Sequence, residues 1–193
     1  IAFAVENFGR RLRDPLLRLL VHEHLEQLTL DDKRAAIASC FRANHARTIE
    51  PFPSYRRLHA LQEIATAEGD SALAWLSGDY FADLVTWYHL AWTGETERRR
   101  NPFLASLMSK GEGYSLSERR ALLAAIGEMI AGLVPRYQAL AERGQIELSC
   151  SPEAHPIAPL LLSFGSAREA TPEAPLPAAP CYPGGRQRLD RHL

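Results

Sequence analysis

The chain has 193 residues, and its 22 Lys and Arg nearly cancel its 23 Asp and Glu, leaving a formal net charge of −1. That length supports one good hydrophobic core and part of a second, and that charge balance excludes the basic footprint of a nucleic-acid binder. The most apolar window, residues 121 to 134, contains Glu128 and is too short for a bilayer, so no membrane span is expected. Cys40, Cys150 and Cys181 are odd in number and lack metal-ligand spacing, and no signal peptide opens the sequence. Together these features predict a reducing, cytoplasmic setting.

In chain order the pattern is helix after helix. Asp14-Pro15 starts the first, which the spacing of Leu16, Leu17, Leu20, Val21 and Leu28 carries to about residue 28. Thr29 and Asp32 are spaced as a capping box for a second helix that the pattern extends to about Ala46, with Asp in place of the usual Glu. Pro51 and Pro53 make a loop, because two prolines in three residues cannot sit inside a helix. Ser54 to Ala67 is helical again and stops at Gly69. Residues 77 to 94 form an aromatic-rich helix closed by Gly94. The run Arg98 to Arg100 reads as a solvated helix end. Asn101-Pro102 opens a short helix that ends near Gly111. Ser115 and Glu118 then cap the longest helix, which runs to about Arg143 with a kink at Pro135 and a stop at Gly144. Beyond residue 165 a proline- and alanine-rich stretch predicts a long loop. A final helical pattern follows Gly184-Gly185 without a stop signal. With the start at Ile1, that open end predicts a piece of a longer polypeptide.

Against this helical background Gln145 to Cys150 stands apart. Ile146, Leu148 and Cys150 alternate with Gln145, Glu147 and Ser149, the period-two pattern of a strand with two different faces. A lone strand leaves its backbone donors and acceptors unpaired. Residues 1 to 5, IAFAV, supply one further strand at best, so most of the sheet is expected outside this chain. In a barrel of alternating strands and helices, Ile146, Leu148 and Cys150 would suit the outer face while Glu147 pointed inward. The loop that follows, stiffened by Pro152, Pro156 and Pro159, would hold His155 at the active-site end. A solvent-facing Glu147 on an edge strand and an ordinary loop histidine fit the same pattern.

The stretch Gly144–Leu148, followed by a proline and then His155–Leu161, resembles the second signature region of glycoside hydrolase family 57, α-glucan-active enzymes on an incomplete (β/α)7 barrel. Residues 41 to 58 and 79 to 94 are similar to the helical region that precedes this strand in the family's larger amylase-type members. Residues 163 to 177 resemble its continuation. The likeness runs from about Arg13 onward, in the expected order.

What the resemblance implies is a mainly α fragment of such a barrel. Residues 1–143 would form the helical region of the catalytic domain. Residues 144–193 would be a barrel strand, an active-site loop and the start of the next helix. Glu147 and His155 would line the substrate pocket in supporting roles, the carboxylate bonding a sugar hydroxyl or holding a catalytic neighbour in register. The family's His-Gln-Pro signature, its nucleophilic Glu and its acid/base Asp are not in this sequence, so no catalytic residue is assigned here. Retaining hydrolysis needs two carboxylates about 5 Å apart, and nothing pairs Glu147 with Glu153 in that way. The chain departs from the family where Glu153 and Ala154 stand in place of two aromatic residues before the His-Pro. The implied partners are an α-glucan or oligosaccharide and the rest of the parent domain, with no cofactor and no metal.

Two bland readings stand beside this one. Trp87, Tyr88 and Trp92, with Trp75 and Tyr80, could stack on sugars, yet Leu84, Trp87, Leu90 and Ala91 follow core spacing. His22 and His24, two apart on a helix, point in different directions, and Asp79 and Asp83 share a face without further ligands. Two other classes fit the sequence. One is a metal-dependent α-mannosidase or polysaccharide deacetylase on a related barrel, which would need His and Asp ligands not visible here. The other is a free-standing helical interaction module.

Overall fold

The computed structural model describes residues 12–149 and 155–192. It is mainly helical, and no strand is formed among the described residues. The helices are α1 (Pro15–Leu20), α2 (Leu30–Cys40), α3 (His45–Thr48), α4 (Pro53–Ala67), α5 (Gly78–Trp92), α6 (Glu95–Arg100), α7 (Pro102–Lys110), α8 (Leu116–Ala131), α9 (Leu133–Glu142), α10 (Ala158–Leu162), α11 (Ala167–Ala170) and α12 (Gly185–His192). The chain divides into two compact units, Ile1–Arg136 and Tyr137–Leu193.

The start signals act as expected. Asp14 caps α1 by accepting from the Leu17 N–H at 2.9 Å. Both capping boxes form, Thr29 with Asp32 and Ser115 with Glu118. Each satisfies two backbone donors that a helix start otherwise leaves orphaned. Asn101 caps α7, with Pro102 in its first turn, and Gly111 ends that helix at φ 82.

Helix lengths depart from the pattern in three places. The first helix stops at Leu20 and resumes only as a 3-10 turn over Leu25–Gln27. The side chain of Arg119 captures the carbonyls of Leu20 and His22, which would otherwise have carried the helix on. The second helix ends at Cys40, and Asn44 starts α3 anew by accepting from the Arg47 N–H. The predicted longest helix is two, joined at Gly132, not one helix kinked at Pro135. Proline lacks the N–H that would bond four residues back, and its ring crowds that carbonyl. Four residues before Pro135 is Ala131, the last residue of α8.

Helix α5 is the centre of the first unit. It packs against α1, α2, α4, α8 and the Leu25–Gln27 turn. Residues Tyr80 to Trp87 are buried without interruption, and Leu90 with them. A helix buried on every side over two turns, with only Asp83 and Thr86 as polar members of that stretch, belongs inside a core. Phe81, Leu84, Val85 and Leu90 are fully buried, each worth about 1.5–3 kcal/mol of transfer free energy. At Gly78 a Cβ would sit 2.8 Å from the Glu26 backbone N, so only glycine lets the Leu25–Gln27 turn lie against this helix start.

Buried polar groups find backbone partners. The hydroxyls of Tyr55, Tyr80 and Tyr114 donate to the carbonyls of Cys40, Leu58 and Leu107. Lys33 donates from Nζ to Ala74 at 2.9 Å and Leu76 at 2.7 Å, and Trp87 from Nε1 to Gly111 at 2.7 Å. Cys40 is fully buried, and desolvation pushes its thiol up to about 12, so it serves as a small core hydrophobe.

In the second unit α10 packs against α12. A Cβ at Gly185 would overlap the Leu161 carbonyl oxygen, so α12 can start against α10 only with glycine at that position. The proline-rich stretch from 171 to 184 is free of helix, as its composition predicts.

Candidate functional site

The segment singled out by its alternating pattern begins where α9 stops. Gly144 takes φ 66. Its N–H bonds the Ala141 carbonyl and the Gln145 N–H bonds the Leu140 carbonyl, the paired bonds of a Schellman stop. Past that stop, Ile146 to Ser149 are neither helical nor paired into a sheet among the described residues. Over Gln145–Ser149 the predicted strand is therefore not formed, since no second strand among the described residues offers it a ladder; IAFAV and Cys150 lie outside the described residues. Ile146 is half-buried, Glu147 and Ser149 are exposed, and Leu148 is 56% exposed. Exposing a leucine to that extent forfeits most of its transfer free energy.

His155 is exposed and has φ 47, the one non-glycine residue at positive φ among those described. The position is doubly unfavourable, because the Pro156 that follows also disfavours helical-type backbone at residue 155. Such conformations cost about 1–3 kcal/mol and cluster where function demands them. Sequence reasoning found the residue through its framing prolines, but it had no signal for the strained backbone. No hydrogen bond or ion pair joins Glu147 and His155 to each other among the described residues. Glu153 and Ala154 lie outside them.

The sequence-paired carboxylates Asp79 and Asp83 line a cleft of about 220 Å³ between α4 and α5, with Ser54, Arg57, Tyr80 and Glu112. Asp83 is buried there and accepts from the N–H groups of Gly113 and Tyr114, each at 3.0 Å. Burial raises its carboxyl above the usual range; the two backbone donors act the other way, and the charges of Glu112 and Asp79 add to the rise. Both oxygens are committed to fastening the Gly111–Tyr114 loop onto α5. Arg57 pairs with Glu112 at 2.9 Å on the same cleft. Sequence spacing missed both residues, since their contact joins positions 57 and 112, far apart in the chain. Ligand sites generally exceed about 300 Å³, so this cleft is a structural seam.

The aromatic run of α5 divides. Trp87 is 3% exposed and stacks near Tyr55, as core spacing predicts, whereas Trp92 is 58% exposed. His24 donates its backbone N–H to His22 Nδ1 at 3.1 Å, a local turn contact. Among the described residues no three His, Cys, Asp or Glu side chains gather as metal ligands, and no helix is long and apolar enough to cross a membrane. No family model, curated protein or solved structure matches the chain.

Proposed function

We propose that this chain is part of a carbohydrate-active enzyme resembling the family 57 glycoside hydrolases. It acts on α-glucans of the starch or glycogen type by a retaining mechanism with two carboxylates. The attacking carboxylate and the acid that protonates the leaving oxygen belong to other parts of the parent domain. Glu147 and His155 line the sugar-facing side. Glu147 holds a sugar hydroxyl or a catalytic neighbour in register, and His155 presents its imidazole to the same pocket. The proposal extends to a barrel whose missing strands pair with Gln145–Cys150 and to a cytoplasmic setting in which Cys40 and Cys181 stay reduced.

The observation that carries this reading is His155, an exposed histidine with positive φ immediately before a proline. A chain retains so unfavourable a backbone where a side chain must point one way. The ordered resemblance from Arg13 onward supports the same conclusion, as do the exposed Leu148 and Ile157 on either side of the loop. Steady-state kinetics of the parent enzyme carrying Glu147→Gln test it. A fall in kcat/KM of about two orders of magnitude is expected for lost electrostatic support at the sugar. Full activity would overturn the assignment.

A further inference from the structure

We draw no further inference here: the strongest candidate, the cleft of about 480 Å³ where the first turns of α5 and α8 meet beside Arg119, carries nothing, because Glu23, Glu26 and Asp79 line it against an anion and the unbonded Nε of the guanidinium is buried out of a ligand's reach.

Discussion

Arg119 and Leu20 stand 99 residues apart in sequence and are joined by one hydrogen bond, 2.8 Å from the guanidinium Nη1 to the carbonyl oxygen. The same nitrogen donates to the His22 carbonyl at 3.1 Å. Arg119 is 5% exposed and forms no ion pair among the described residues; the carbonyls at and just past the end of α1 hold its guanidinium, and the charge of Asp83 also favours its charged form.

Arg119→Met keeps the stem and removes the guanidinium. Two carbonyls then lose their donor, and the expected destabilisation is about 2–4 kcal/mol. Urea unfolding followed by circular dichroism measures it. A change below about 0.5 kcal/mol would mean that water serves those carbonyls equally well.

His89 gives the first unit a defined pH response. Burial holds its imidazole at about 4 against an ordinary value of 6.5, with a backbone bond at Leu16 opposing the shift in part. Its Nε2 is buried without a hydrogen-bond partner among the described residues. Because the folded value is depressed, the unfolded chain binds the extra proton first. Stability is therefore full above about pH 6.5 and falls as pH drops towards 4, by up to about 3 kcal/mol. In His89→Leu that part of the slope should vanish. Unfolding free energies at pH 7 and pH 5 for both proteins decide the matter, and parallel slopes would refute it.

Hydrogen exchange should separate the two sides of Gly144. Amides in the buried half of α5 should exchange only through large-scale unfolding, whereas those of Ile146 to Ser149, unpaired among the described residues, should exchange early. Equal protection on both sides would show that the segment has a partner in this chain.

On the family 57 proposal the two catalytic carboxylates are absent from these residues, so the chain by itself should show no turnover of starch, maltooligosaccharides or pullulan. Activity that survives repurification would contradict this. In the parent enzyme Ile146→Gln is the companion to Glu147→Gln. It places an amide on the apolar side of the segment and should lower the melting temperature while sparing the chemistry. A stable Ile146→Gln beside a silent Glu147→Gln would reverse which face meets the sugar.

Local chemistry was legible without coordinates. Asp14, Thr29 with Asp32, Asn101 with Pro102, Ser115 with Glu118, and Gly144 each start or stop a helix where the sequence places them, because a cap acts within four residues of itself. The burial of Trp87 followed from helical periodicity for the same reason. What only the tertiary structure decided involves partners distant in sequence. Arg119 ends α1 early, Asp83 spends both oxygens on the Gly111–Tyr114 loop, and Gly185 is required by the Leu161 carbonyl. Periodicity also placed Trp87 and Trp92 on one aromatic helix and could not say that the core closes over the first and leaves the second in water. Gln145–Cys150 marks the limit from the other side. Its alternation reports a strand's preference, and a strand exists only where a second backbone supplies the ladder.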